Sequence, residues 1–392
     1  MTPKERVIAA LEHREPDMAP WGEHSIDYNI YEMVLGRESF LHAKFKETRA
    51  YWEGRRDEVV ASYKRDYVDL ALALGMDLIT VTQVPGRGYH PEPMKQLDEE
   101  TYQDTDGSIY KLSSVTGDLM KYPLNTAFIQ RDISLEEAEQ MAEEARNAPN
   151  LPADPNVSEY EVINHVVKEL GDTHFIIAPI NGIEWPRFGC TEEDSWVNLM
   201  LEPEICEKIA EYQYWNTIHE LDRLAATGID GVLSVGDLGN TTNLAASPAL
   251  YRQITLKYHQ KIYAACKERG LYVLRHCCGH VWPIIEELAE NNDAYEGIQE
   301  YAGMDICKLK ETVGDRLCLW GGVLHEHIHG GTPQQVWDDA ARAIFCAGKG
   351  SGLILGSSHS LTIGATLENI LAMKRAREEL GTYPLKLGSA NL

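Results

Sequence analysis

Eight short apolar runs, spread along the chain, constrain the fold of this sequence more than any other feature. They comprise residues 18–21, 77–83, 174–180, 231–237, 271–277, 295–301, 317–323 and 352–358. From the third run onward they alternate with helical stretches, and they are apolar on both faces, as buried strands of a parallel sheet require. Eight strand–helix units predict a (β/α)8 TIM barrel, with residues 1–392 as a single domain. A doubly wound open sheet is the alternative, but no Gly-rich dinucleotide fingerprint supports it.

Residues 86–130 break this alternation after the second run. They are polar and rich in turn residues, and Asp106-Gly107 between two alternating runs predicts a β-hairpin. We expect this excursion to lie over the barrel mouth. A surface hairpin with no part in the function is an equally good interpretation.

The charge balance excludes several classes of partner. The 61 acidic residues outnumber the 36 basic ones, and the formal net charge is −25. Such a surface repels nucleic-acid phosphates and anionic membranes. No apolar stretch reaches the roughly 18 residues of a membrane span, and the N-terminus lacks the apolar centre of a signal peptide. These features predict a cytoplasmic protein whose scattered cysteines are reduced thiols. The oligomeric state stays open, with a homodimer as one option.

The barrel prediction selects candidate functional residues, because active sites of such barrels lie at the carboxyl ends of the strands. In chain order, the residues predicted at these ends are Trp21, Glu23, His24, Asn181, Glu184, Asp237, His276, Cys277, Cys278, His280, Gln299, Glu300, His325, Glu326, His327, Ser357, Ser358 and His359. Nitrogen and sulfur ligands are therefore concentrated at one end of the barrel.

The segment "RHCCGH" after the fifth run contains the strongest metal-site pattern. Residues two apart on a strand point the same way, so His276 and Cys278 face one side and Cys277 the other. His359 can approach from the eighth strand. Zn²⁺ in catalytic sites takes three such ligands and keeps one position open. The alternative is a polar mouth in which His276 is hydrogen-bonded and both cysteines are small buried residues.

A second histidine-rich segment, "HEHIH", is the rival metal site. Alternation would put His325, His327 and His329 on one face of a strand. However, the segment stands between two glycine pairs and is typical of a loop. A solvated loop, or contact with substrate through His325, is the favoured interpretation.

The carboxylates and aromatic residues at the predicted mouth have two interpretations each. Asp237, Glu184 and Glu300 can act as acid, base or metal ligand, or they can orient neighbouring histidines. Trp21, together with Trp185 and Tyr301, can line an apolar pocket or simply pack in the core. The sequence leaves these alternatives open.

Several segments, taken together and in order, resemble the uroporphyrinogen decarboxylase superfamily over nearly the whole chain. They are "MTPKERVIAALEHREPDMAPW", "GLYVLRHCCGHV", "AGMDICKLKETVGDRLCLWGGV", the Thr-Pro helix start at 332 and "GLILGSSHSL". The fold that this resemblance implies is again the (β/α)8 barrel.

The resemblance distinguishes two chemistries within the superfamily. True decarboxylases carry an Arg-rich segment after the first strand, but here that place reads "WGEHSIDYN", without arginine. The corrinoid-dependent methyltransferases that methylate coenzyme M bind zinc through His-x-Cys and a distant Cys. His276 and Cys278 match the first part, whereas His359 stands where those enzymes have Cys. An imidazole in place of a thiolate makes the metal more Lewis-acidic, which suits activation of an oxygen.

The chain therefore resembles most the methyltransferase components of O-demethylase systems. This resemblance implies an enzyme that moves a methyl group from a methoxylated aromatic compound to the cobalt of a separate corrinoid protein. Zinc would be held by His276, Cys278 and His359, and Asp237 or Glu300 would supply or relay a proton. The residues expected to contact substrate are Trp21, Glu23, Asn181, Glu184 and His325. The chain has no Asp-x-His-x-x-Gly corrinoid signature, which agrees with a separate cobalamin carrier.

Three other functions stay open from the sequence. The acceptor of the methyl group can be a thiol, as in the coenzyme M enzymes. The protein can be a decarboxylase-like lyase without metal. It can also be a non-catalytic barrel that only binds a corrinoid protein.

Overall fold

The computed structural model of the chain describes residues 1–122, 132–149, 154, 156–184, 186, 188–189 and 192–386. Its main sheet is built from the strands β1 (Gly22–Glu23), β2 (Leu78–Thr80), β7 (Phe175–Asn181), β8 (Gly231–Val235), β9 (Tyr272–His276), β10 (Ala294–Glu296), β11 (Cys318–Val323) and β12 (Leu353–Ser357). They pair in this order, and every pairing is parallel. A parallel bridge between Trp21 and Leu355 joins the two ends of the sheet. The (β/α)8 barrel predicted from the sequence is confirmed.

Helices surround this sheet and fill the connections between its strands. Their bounds are α1 Pro3–Leu11, α2 Tyr28–Leu35, α3 Lys44–Trp52, α4 Arg56–Leu74, α5 Leu135–Asn147, α6 Glu161–Leu170, α7 Glu192–Leu201, α8 Pro203–Ala226, α9 Pro248–Tyr251, α10 Lys257–Glu268, α11 Ile285–Glu290, α12 Ile306–Val313, α13 His325–Gly330, α14 Pro333–Ala347 and α15 Leu367–Leu380. Capping boxes at Thr2 and Thr332 fix where α1 and α14 begin, because each side chain accepts a hydrogen bond from an otherwise unpaired backbone N–H.

The barrel is closed at its amino-terminal end, which leaves the other end for a site. Val7, Ala10 and Leu11 of α1 pack into a buried cluster with the inward-facing side chains of the strands. Those side chains are Leu78, Phe175, Ile177, Leu233, Leu274, Ala294, Cys318, Trp320 and Ile354. All of them are fully buried, so this half of the barrel is a solid apolar core.

The largest errors in the predicted strand boundaries are in the first and sixth strands. The first strand begins at Gly22, just after the predicted run 18–21, and the sixth ends at Glu296 instead of residue 301. Gly297 ends the sixth strand because its φ of +94° suits glycine, and a Cβ there would lie 2.7 Å from the carbonyl oxygen of Cys277. The segment Glu300–Ala302 forms a 3₁₀ helix.

The excursion after β2 is larger than the predicted hairpin. It contains a four-stranded antiparallel sheet of β3 (Lys95–Gln96), β4 (Thr101–Gln103), β5 (Ile109–Leu112) and β6 (Leu119–Tyr122). The predicted turn at Asp106-Gly107 does connect two of its strands. The Phe45 backbone of α3 donates to Gly117 over 3.2 Å, which fastens the sheet to the barrel. Residues 123–130 lie outside the described part of the chain, and coverage of the mouth stays a prediction, as does the single domain.

Two of the eight cysteines form a disulfide, which corrects the expectation of reduced thiols. Cys307 on α12 and Cys346 on α14 are bonded, with their Cα atoms 5.2 Å apart. The free cysteines in the described part of the chain are Cys206, Cys266, Cys277, Cys278 and Cys318. Cys190 and Trp185 lie outside it. None of the described helices combines the length and the apolar character needed to cross a bilayer.

Candidate metal centre

The ends of β9 and β12 bring the three predicted metal ligands together. The ligand atoms of His276, Cys278 and His359 all lie within 4.8 Å of one another. His276 Nε2 is 3.4 Å from Cys278 Sγ. A tetrahedral zinc ion bound to both atoms would hold them about 3.6 Å apart. The spacing therefore fits a shared cation as well as it fits a hydrogen bond from the thiol.

Glu296, on the neighbouring strand β10, orients His276. The two residues are partners in the strand register, and His276 Nδ1 donates to a carboxylate oxygen of Glu296, which is fully buried. Burial lowers the pKa of His276, but the charge and hydrogen bond of Glu296 outweigh it and raise the pKa overall. A carboxylate on Nδ1 leaves Nε2 free to face a metal, as is usual for histidine ligands. The sequence prediction missed Glu296 because it drew the sixth strand too far.

His24, at the end of β1, completes a second grouping with the same carboxylate. Ligand atoms of His24, His276 and Glu296 also lie within 4.8 Å of one another, and the two imidazole rings are 4.1 Å apart. Burial lowers the pKa of His24 to about 4, so the ring is neutral and able to act as a ligand. The grouping with Cys278 is the better zinc site, because it adds a thiolate and leaves Glu296 in its hydrogen bond.

The other two candidate ligands, Cys278 and His359, would each have to change in order to bind a cation. Burial, and then the Asp237 carboxylate, raise the pKa of the Cys278 thiol, whereas a coordinated metal ion removes its proton. The backbone N–H of Ser360 donates to His359 Nδ1 over 2.7 Å, so the neutral ring carries its proton on Nε2. His359 must therefore shift this proton or turn its ring in order to bind through Nε2. The donor set fits zinc, and His359 is the ligand that has to rearrange.

One side of the cluster is open to the barrel mouth. His276 and Glu296 form its buried wall, while Cys278 and His359 are half-buried. Asp237 is on the open side: its side chain is 50% exposed, Oδ1 accepts from the Cys278 backbone over 2.8 Å and is 3.8 Å from His276 Nε2. Solvent therefore reaches the cluster from this side.

The structure places Glu300 differently from the prediction. It lies in the 3₁₀ helix after β10, and its carboxylate pairs with Arg342 of α14. Glu184 and Asn181 do lie at the mouth. Glu184 accepts from the Asp237 backbone N–H over 3.3 Å, and the Asn181 amide oxygen accepts from the backbone two residues on.

The residues at the end of β1 are more deeply placed than a substrate contact requires. Trp21 is fully buried in the core, and its indole N–H donates to Glu23 over 2.8 Å. Glu23 also accepts from the backbone and hydroxyl of Ser357. Both residues therefore stabilise the place beneath the cluster where the first and last strands meet and close the barrel, which we call the seam.

The histidine-rich segment forms the short helix α13 instead of the predicted loop. The His325 ring lies 5.7 Å from that of His359, and its Nδ1 is buried without a hydrogen-bond partner among the described residues. His327 turns to Asp339, with 2.8 Å between Nδ1 and the carboxylate. The His329 ring packs 4.0 Å from the His325 ring. Only His325 is therefore directed to the metal cluster.

Replacing Glu23 with glutamine should make the protein more stable at neutral and higher pH. Burial raises the pKa of Glu23 from 4.5 to about 7. Between these values the folded protein keeps a proton that the unfolded chain releases, so this residue makes stability fall as pH rises, by about 3 kcal/mol in total. The glutamine amide can donate a hydrogen bond to the Ser357 hydroxyl, and this hydroxyl can then donate to the His359 carbonyl oxygen, so the variant keeps the buried hydrogen bonds. Urea unfolding of the wild type and Glu23→Gln between about pH 5 and pH 8 measures this.

The exposed Glu58 on α4 provides the control for that experiment. Glu58→Gln should leave the pH dependence of unfolding unchanged. If Glu23→Gln and the wild type keep the same dependence, Glu23 is ionised throughout and its burial is compensated elsewhere.

The comparison with known families agrees with the predicted resemblance. The family model described as Uroporphyrinogen decarboxylase (URO-D) matches residues 191–380. This part of the chain contains His276, Cys278, Glu296 and His359. None of the curated proteins matches the chain in sequence.

One of three solved structures compared with the chain has a similar fold. A methyltransferase from Methanosarcina mazei aligns with a TM-score of 0.65 and 17% sequence identity, over 97% of this chain and 99% of that protein. A chitinase from Chromobacterium violaceum aligns with a TM-score of 0.33 and 8% identity, over 54% of this chain and 94% of its own. A 3-keto-D-glucoside 4-epimerase from E. coli aligns with a TM-score of 0.31 and 12% identity, over 64% of this chain and 90% of its own. The first likeness supports the barrel, and the other two are too weak to support any further conclusion.

Proposed function

We propose, for a chain that resembles the uroporphyrinogen decarboxylase superfamily in sequence and fold, a methyltransferase that moves a methyl group from a methoxylated aromatic compound to the cobalt of a separate corrinoid protein. The observation that carries this proposal is the convergence of His276, Cys278 and His359, whose ligand atoms lie within 4.8 Å of one another. The Methanosarcina mazei protein of similar fold is a methyltransferase, which supports the same reaction class.

The chemistry explains why a cation belongs in this site. An ether oxygen is a poor leaving group for attack by a nucleophile on the methyl carbon. Zinc bound to His276, Cys278 and His359 would supply a Lewis acid that stabilises the negative charge developing on that oxygen. Glu296 holds His276 in place, and the buried wall behind it keeps water away from one side of the reacting groups.

Asp237 is the better of the two predicted proton donors. It lies on the open side of the cluster and is half exposed, whereas Glu300 is engaged by Arg342. We propose that Asp237 delivers or holds a proton at the departing oxygen. Glu184, Asn181 and His325 then remain as contacts for the rest of the substrate.

The acidic segment after β1 argues against a decarboxylase. Glu23 and Asp27 in this segment are both buried, and no arginine lies among residues 21–29. A substrate with many carboxylates would find no guanidinium there to pair with. We therefore favour transfer of a methyl group over loss of a carboxyl group.

Methyl transfer to free reduced cobalamin tests the proposal. The protein is incubated with cob(I)alamin and a panel of methoxyphenols and methoxybenzoates; methylcobalamin is followed by absorbance and the demethylated phenol by mass spectrometry. Formation of both products supports the proposal. Activity that appears only with methylcobalamin and a thiol would establish the alternative acceptor, and carbon dioxide release from uroporphyrinogen would establish the lyase. No turnover in any of these assays would favour a non-catalytic barrel.

A further inference from the structure

Tyr301 is a large aromatic residue exposed beside the metal cluster, and it has no role in the site described so far. Its side chain is 56% exposed and lies in the 3₁₀ helix that follows β10. The strand β10 pairs in parallel with β9, and the 3₁₀ helix follows the carboxyl end of β10. Tyr301 therefore lies at the same end of the barrel as Cys278, which follows the carboxyl end of β9.

The loop that carries Tyr301 is held rigidly against the segment that carries Cys278. The Gly279 backbone donates to the side chain of Gln299 over 2.9 Å, and His280 Nδ1 contacts the carbonyl of Ala302 over 2.9 Å. The Trp282 indole N–H donates to the carbonyl of Gly303 over 2.8 Å. These contacts fix the position of the loop before any ligand binds.

The opposite side of this loop is also anchored. Arg342 of α14 binds both Glu300 and Asp305. Asp305 caps the start of α12, and the disulfide between Cys307 of α12 and Cys346 of α14 joins these two helices a second time. An exposed aromatic ring on so constrained a loop loses little conformational entropy when a ligand stacks on it.

The charges near Tyr301 restrict the kind of ligand. Asp237 and Glu326 are both exposed and both acidic, and the chain as a whole carries a formal net charge of −25. A carboxylate on the side of the aromatic ring that faces away from the metal cluster would be repelled by these two side chains. An uncharged ring avoids this penalty and gains the stacking contact.

We propose that Tyr301 is the specificity-determining residue of the site, and that its ring stacks on the ring of an uncharged aryl methyl ether, such as a methoxyphenol. This inference rests on the proposed function and names the substrate class within it. The methoxy group would then point to the cluster of His276, Cys278 and His359, with Asp237 beside the ether oxygen.

Calorimetric titration of the purified protein with guaiacol, an uncharged methoxyphenol, tests the inference without any methyl transfer. Tyr301→Ala should raise the Kd for guaiacol roughly tenfold, and Tyr301→Phe should leave it within about twofold, because the ring remains. Methoxybenzoate should bind the wild type more weakly than guaiacol. Leu72→Ala is the control, since Leu72 is 58% exposed near the end of α4, which leads into the amino-terminal end of β2, and should not affect the Kd.

The kinetic readout separates stacking from a structural role. With guaiacol as methyl donor, Tyr301→Ala should raise KM and leave kcat nearly unchanged, and methanol as donor should show no change in KM. An unchanged Kd for guaiacol in Tyr301→Ala, or equal losses with guaiacol and methanol, would overturn the inference.

The binding and transfer measurements test the Tyr301 inference and the proposed function separately. If the wild type binds guaiacol and Tyr301→Ala weakens that binding, the stacking inference stands even when no methyl group moves, and the proposed function is the part that fails. If methyl transfer occurs but guaiacol does not bind, the proposed function stands and Tyr301 has no such role.

Discussion

The substitution His276→Ala should leave the purified protein folded but without zinc. His276 is the residue shared by both ligand groupings, and it is the one that Glu296 orients. Its loss removes a ligand from the cluster and leaves two that cannot hold the ion alone. We expect zinc content to fall from about one ion per chain to below one tenth, and methyl transfer to fall more than about a hundredfold. Elemental analysis by mass spectrometry and the cob(I)alamin assay measure the two effects.

A neighbouring histidine provides the control for this change. His280 follows Cys278 by two residues, but its ring contacts the carbonyl of Ala302 instead of the cluster. His280→Ala should therefore keep its zinc. Glu296→Gln should lie between the two, with metal affinity reduced by about 10- to 100-fold, because the ligand remains and only its orientation is lost. Full zinc occupancy in both His276→Ala and His359→Ala would exclude the proposed site.

The barrel could be predicted from the sequence because its determinants are local. Each strand is a short apolar run, and each is followed by a helix with its own start signal, so periodicity alone placed six of the eight strands closely. The two errors occur where the signal is not apolar. The first strand is Gly22–Glu23, and the sixth ends at Glu296 because Gly297 closely approaches the Cys277 backbone.

The metal ligands could be predicted for a related reason. Strand alternation puts His276 and Cys278 on one side, and the barrel rule brings the end of β12 to the same rim as β9. His24 and Glu296 were missed as members of the cluster, since their positions depend on where two short strands end. Because the predicted end of the sixth strand was five residues too late, Glu300 was predicted at the strand end where the structure has Glu296.

Long-range contacts account for what the sequence could not predict. The disulfide between Cys307 and Cys346 depends on how α12 packs against α14, and residue spacing alone does not determine this packing. The ion pair of Glu300 with Arg342 has the same origin. Neither residue pair shares a local pattern that could have been recognised in the sequence.

Removal of the Asp77 carboxylate should destabilise the protein by about 3–5 kcal/mol, because it leaves a buried guanidinium without its partner. Asp77 and Arg377 are both almost fully buried and form an ion pair. Asp77 also accepts from the Trp21 backbone over 2.9 Å and from Arg6 over 3.1 Å. These contacts connect α1, the start of β1 and α15 at the seam where the sheet closes. Urea unfolding of Asp77→Ala against the wild type measures the loss.

The size of this effect follows from burial and not from the ion pair as such. Asp57 also pairs with an arginine, but its side chain is 90% exposed, so Asp57→Ala should change stability by less than about 0.5 kcal/mol. Replacing Arg377 with methionine in the Asp77→Ala background should recover much of the loss, because no uncompensated charge then remains in the seam. A loss below about 1 kcal/mol in Asp77→Ala itself would mean that water reaches Arg377, and that the seam is held by the strand bridge between Trp21 and Leu355 instead.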